Sequence, residues 1–94
     1  MSVPALYATE QVPLQEKLVY EHWFFAPCNF HWLIAEVDTE KKLAFGWAFL
    51  NDEQNAEWGY ISLAELESIG ATKDEGFKPK KAGQAIKQIL EVRK

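Results

Sequence analysis

Ninety-four residues, 48% of them hydrophobic and 26% charged, suffice for one domain and leave little room for a deep catalytic cleft. A net charge of −4 argues against a dedicated duplex-binding protein, which carries a basic patch. A single cysteine, Cys28, excludes an internal disulfide and a multi-cysteine metal site, and no apolar run approaches the roughly 20 residues of a membrane span.

Met1 to Glu16 reads as a leading segment in which Pro4 and Pro13 oppose a long helix. It lacks the basic start and apolar run of a secretory signal, so the expected setting is the reducing cytoplasm. Leu18 to Phe25 has the β-branched and aromatic character of a first strand. Ala26 to Asn29 is a turn, Phe30 to Val37 a second strand, and Leu43 to Leu50 a third after a polar turn. Asn51 to Ala56 reads as a polar loop and Glu57 to Ile61 as a fourth strand.

Ser62 then stands at a helix start, with Glu65 three residues on in capping-box spacing. Ile61 and Leu66 flank that start as a hydrophobic staple, and Gly70 is placed to end the helix that runs through Ile69. Ala71 to Pro79 reads as a loop. A last amphipathic helix starts near Lys80, with Ala82, Ala85, Ile86, Ile89 and Leu90 on one face. Consecutive hairpins followed by helices predict one α+β domain over residues 1–94. Its plan is a small antiparallel sheet of about four strands, with both helices packed on one face.

Turn length decides which residues share a face. Pairing Phe25 with Phe30 and Val37 with Leu43 gives one almost wholly apolar face, which includes Leu18, His22, His31, Leu33, Trp47 and Phe49. The opposite face then collects Glu21, Trp23, Phe25, Phe30, Trp32 and Glu36 beside the small residues Ala44, Gly46 and Ala48. Large rings beside small residues leave a shallow trough. The leading segment covers it, or it is left open for a partner.

Few constellations suggest chemistry. His22 and His31 share a face, but a catalytic zinc wants three protein ligands and no third is evident, so neither metal nor cofactor is expected. Glu21 and Glu36 are a carboxylate pair on the trough face, more simply read as its solvated rim. The lysines at 78, 80, 81 and 87 with Phe77 form a basic and aromatic cluster, which a solvated helix face also explains. Charge is uneven. Residues 1–70 hold eleven acids against three bases, and residues 71–94 hold three acids against seven bases.

The ordered blocks LYATE (6–10), PLQEKLVY (13–20), FFAPCNFHW (24–32), AFGW (44–47), EWGYISLAELES (57–68) and FKPK (77–80) resemble a family of small bacterial, plasmid and phage proteins, domain of unknown function 2958. The resemblance spans nearly the whole chain, although the stretch after ELES is shorter here than is typical. It implies an intracellular accessory protein of phage or mobile elements, with no catalytic residues assigned.

These readings lead to a non-enzymatic interaction module. Its partner is a host or phage protein, or a second copy in a homodimer. Its contact surface is the trough of Glu21, Trp23, Phe25, Phe30, Trp32 and Glu36, because aromatic anchors supply most of the affinity of small interfaces. Two alternatives stand beside it. One is single-stranded nucleic-acid binding by base stacking, disfavoured by the acids around the rings. The other is a small enzyme using Glu21, Glu36 or His31.

Overall fold

A computed structural model describes residues 3–52, 54 and 56–92. Met1 and Ser2 of the leading segment, Glu53 and Asn55 of the expected polar loop, and Arg93 and Lys94 of the basic end lie outside the described residues. The strands are β1 (Leu18–Val19), β2 (Glu21–Phe25), β3 (Phe30–Asp38), β4 (Leu43–Leu50), β5 (Glu57–Ser62), β6 (Thr72–Lys73) and β7 (Lys80–Lys81). The helices are α1 (Leu63–Ser68) and α2 (Ala82–Val92). Five strands form an antiparallel sheet in the order β5-β4-β3-β2-β6, and β1 pairs with β7 in a second, two-stranded sheet. The fold is α+β, as the hairpin pattern predicts.

Two short strands fall where the sequence reads as loop and helix. Thr72 and Lys73 pair with Phe24 and Trp23, so β6 forms the edge beside β2. Lys80 and Lys81 pair with Val19 and Leu18, and α2 begins only at Ala82, whose N–H donates to the Lys17 carbonyl at 2.8 Å. That carbonyl satisfies one of the four donors a helix start leaves without an internal partner.

The first hairpin has the expected register, with Trp23 opposite Trp32 and Phe25 opposite Phe30. The second keeps it through Trp32–Ala48 and Ile34–Gly46, then slips by one residue to Glu36–Phe45 and Val37–Ala44. Ala35 is the extra residue of a β-bulge. Opposite it the first strand breaks at Tyr20, whose N–H donates to the Ile34 carbonyl at 2.8 Å. A bulge raises local twist and moves the following residues to the other side of the sheet. This irregularity corrects the expected faces twice. Val19 rather than Leu18 is buried, and Glu36 leaves the trough for the opposite face.

The sheet is covered on both sides. On the inner face Val19, Leu33, Trp47 and Phe49 pack under Ala82, Ala85 and Ile89 of α2. On the outer face Trp32, Ile34, Ala44 and Ile61 pack under Leu66 of α1. The helices thus take one face each instead of sharing one. The cause lies in the chain: α1 follows β5 with no loop between, so it folds over the side to which Ile61 already points. Ser62 Oγ accepts from the Glu65 N–H at 3.2 Å, and Ile61 and Leu66 are both buried. At the far end Gly70 has φ of 83°, and the Ala71 and Gly70 N–H groups donate to the Leu66 and Glu67 carbonyls. That is a Schellman ending, and it needs a residue that accepts positive φ.

At Gly46 the neighbouring backbone leaves no room for a side chain. A Cβ built there would lie 1.8 Å from the Leu33 carbonyl oxygen, which is main chain in the centre of the sheet and cannot rotate away. Gly46→Ala is expected to cost about 3 kcal/mol or more, the upper range for overpacking a core. Gly59→Ala meets no atom within 4 Å and serves as the control. Urea melts of the two variants check this; equal midpoints would contradict it.

Candidate functional site

Three places combine shape with chemistry. The first is a groove of about 420 Å³ on the outer face, between α1 and the Phe30 end of β3 and β4. Phe30, Trp32 and Leu66 line its floor, and Leu50 and Ile69 stand around it at 53% and 45% exposure. Glu65 lines it, and Glu57 lies directly across from Ala48 in the register. The surroundings are therefore apolar with an acidic rim.

Five of the six residues expected at the trough are on this outer face. Trp32 is buried, at 7% exposure, beneath Leu66 and against the Phe30 ring, which meets it edge-on at a centroid distance of 6.0 Å. It is a core residue and not an exposed anchor, which corrects its expected place. Trp23, Phe25 and Phe30 are half-buried. Trp23 Nε1 donates to Glu21 at 3.1 Å, and Glu21 pairs with Lys73 of β6 at 3.4 Å. The β6 edge, which the sequence conceals in a loop, thus abuts that end of the trough.

The second place holds Glu36. The residue is 3% exposed, and its carboxylate accepts from the Tyr7 N–H at 2.7 Å, the Thr9 N–H at 3.0 Å and the Thr9 hydroxyl. Lys17 Nζ, equally buried, lies 3.7 Å away, donates to the Thr9 carbonyl and hydroxyl, and stands 5.8 Å from the Phe45 ring centre. Tyr7 has φ of 69°, and in the LYATE turn the Tyr7 and Thr9 N–H groups converge on one anion while the Ala8 N–H between them donates to the Ala5 carbonyl. Burial alone would raise the Glu36 pKa. The hydrogen bonds from Thr9 and Tyr7 and the Lys17 charge outweigh it and hold the carboxyl below its usual range. A pocket of about 340 Å³ opens above the pair, with Tyr7 and Tyr60 at its mouth joined hydroxyl to hydroxyl at 3.0 Å. Among the described residues no buried side-chain nitrogen or oxygen lacks a hydrogen-bond partner, and the bonds from Tyr7 and Thr9 clamp the leading segment to the sheet. Sequence reasoning missed Lys17 and Thr9. The available signal was a lone acid inside the apolar run of β3.

The third place is a pocket of about 490 Å³ on the inner face. His22 and His31 meet there with Nε2 and Nδ1 2.9 Å apart and their rings stacked at 5.2 Å. His22 Nδ1 lies 3.1 Å from Asp74 Oδ2, His31 Nε2 lies 3.2 Å from Asn29 Oδ1, and Asn29 donates to Asn51. The hydrogens on the two rings follow the orientation of the Asn29 amide, whose Oδ1 faces His31. Asp74, which sequence reasoning missed, also accepts from the Gly76 N–H at 3.1 Å in an Asx turn, for which Asp-x-Gly was the available signal. Among the described residues no group of three or more His, Cys, Asp or Glu is placed to hold a metal ion. Glu21, Glu36 and His31 fall in three separate places and share no site.

The pH dependence of stability follows from these environments. Burial, then the neighbouring His22, holds His31 below the usual imidazole range. The His22 hydrogen bond outweighs partial burial and holds Asp74 below the carboxylate range, where Glu36 also lies. All three groups resist protonation in the folded state, so their stabilisation is complete at high pH and is lost on acidification. The thermal midpoint should be level above about pH 7, fall as His31 is forced to protonate, and fall more steeply below about pH 4 as Glu36 and Asp74 follow. His31→Gln should remove the first step alone. A midpoint level down to about pH 4 would contradict the assignment.

A small two-sheet α+β domain with one helix on each face of its main sheet is the class these observations define. Residues 10–82, more than three quarters of the chain, match the model of a family described as a protein of unknown function (DUF2958), and the chain belongs to that family. No curated protein and no solved structure matches it. No helix among the described residues is long and apolar enough to cross a membrane.

Proposed function

We propose that this protein is a non-enzymatic interaction module of phage or mobile-element type, and that it docks a host or phage protein in the outer groove beside α1. The observation that carries the reading is the pair Leu50 and Ile69, large apolar side chains about half exposed beside one concave surface. Contiguous apolar exposure of this kind marks interaction sites in small domains. The trough of the sequence reading survives only in part: Trp32 supports the floor, and the accessible anchors are those that surround it.

The acidic rim names the chemistry of the partner. Glu57 and Glu65 favour an apolar segment flanked by lysine or arginine. The same rim disfavours self-association through this face, because two copies would bring their acids together. No observation favours base stacking, since no cation lines the groove among the described residues and its indole is buried.

The test is a paired capture from cells of a natural host, using the wild type and a Leu50→Glu/Ile69→Glu variant. Both positions are about half exposed, so the variant should fold with an unchanged melting midpoint. A protein retained by the wild type and lost from the variant supports the reading. Equal retention by both places the docking surface elsewhere.

A further inference from the structure

We propose that the inner-face pocket of His22, His31 and Asp74 binds a small organic anion, a flat apolar body bearing one phosphate or carboxylate, held by Lys78 and Lys80. It lies across the sheet from the outer groove and is independent of the docking proposal.

The pocket has the size of a small-molecule site, since its volume falls within the common range of roughly 300–1,000 Å³. Its walls differ in character. The stacked imidazoles and the Phe77 ring, 5.8 Å from His22, form an aromatic side, and Ala85 and Ile89 of α2 form an aliphatic one. A flat apolar body fits between two such walls.

The charge balance sets the sign of the ligand. Asp74 is the only acid among the described lining residues, and its Oδ2 is engaged by His22 and its Oδ1 by the Gly76 N–H. Lys78 and Lys80 also line the pocket, so it stays net positive even when the histidine pair is neutral. Lys80 Nζ lies 5.1 Å from the centre of the half-buried Phe77 ring and donates to Gln88 at 3.0 Å in an exposed hydrogen bond. An anion offers the ammonium a stronger acceptor than the Gln88 amide oxygen, so exchanging that solvent-exposed bond carries no large penalty.

Acid–base catalysis is a weaker reading of the same residues. Each of the four ring nitrogens already faces a partner in the Asp74–His22–His31–Asn29 chain, so none is left to serve a substrate. Direct contact between the two rings likewise uses the lone pair that a metal would need. Binding is what the closed chain leaves.

Phenyl phosphate, benzoate, inorganic phosphate and benzyl alcohol, titrated separately, test the idea by imidazole and Phe77 NMR shifts. Phenyl phosphate or benzoate should bind with Kd near or below about 1 mM, and benzyl alcohol at least about tenfold more weakly. The tighter of the first two identifies the anionic group, and weaker binding of inorganic phosphate shows that the apolar body contributes. A Lys78→Ala/Lys80→Ala variant, altered only at the mouth, should keep its melting midpoint and lose about tenfold in affinity for the preferred anion. Binding of the alcohol as tightly as the anions, undiminished binding by the lysine variant, or no shift with any probe up to about 10 mM would overturn the proposal.

Discussion

Glu36→Ala is expected to remove about 3–5 kcal/mol of stability, the cost of breaking a buried ion pair by deleting one partner. A domain of this length holds roughly 5–14 kcal/mol in total, so the variant should be close to unfolded at room temperature. Three losses coincide in it. Lys17, 4% exposed, is left as a buried charge, and the Tyr7 and Thr9 N–H groups lose the anion they converge on. Removing both charges, as in Lys17→Met/Glu36→Leu, should recover only part of the loss, because the two N–H groups still lack an acceptor. Glu21→Gln is the contrast. Its ion pair to Lys73 is partly exposed, and it should cost less than about 1 kcal/mol. Urea denaturation of the variants checks the order; Glu36→Ala unfolding at the same midpoint as Glu21→Gln would contradict the clamp.

Trp32→Ala should cost about 3–5 kcal/mol as well, for a different reason. The indole is 7% exposed and joins the sheet to Leu66 of α1, so its removal leaves a cavity between two elements that cannot close over it. Loss of partner binding in this variant would therefore report unfolding and not a lost contact. Leu50→Ala, by contrast, removes a side chain that is 53% exposed and should change stability by less than about 1 kcal/mol. A Trp32→Ala protein as stable as Leu50→Ala would show that the outer face is open, one of the two arrangements that the alternation of the strands alone allows.

The contrast between these residues shows what alternation can and cannot reveal. The first hairpin is legible because its turn is short and its strands run without interruption, so Trp23–Trp32 and the shared face of His22 and His31 follow from counting. The start and end of α1 are legible because Ser62, Glu65 and Gly70 act locally. Glu36 is not, because the bulge at Ala35 moves everything beyond it to the other face, and no residue type in LIAEVD announces an extra residue there. Leu18 and Val19 exchange places for the same cause. The strands β6 and β7 are hidden because two-residue strands have no periodicity. Thr72, Lys73, Lys80 and Lys81 owe their extended form to the partners β2 and β1. The candidate groove is half legible. Phe30, Trp32 and Leu50 come from the strand pattern, whereas Ile69 joins them only once α1 is seen to fold back over the outer face.

Site-specific photo-crosslinking in host cells tests the docking surface most directly. A photoreactive side chain is placed at position 50, at position 69, or at position 87 on the exposed side of α2. Docking in the groove predicts one discrete adduct with a second protein from positions 50 and 69, and none from position 87. An adduct formed only at position 87, or none at the two groove positions while a partner still co-purifies, would contradict it.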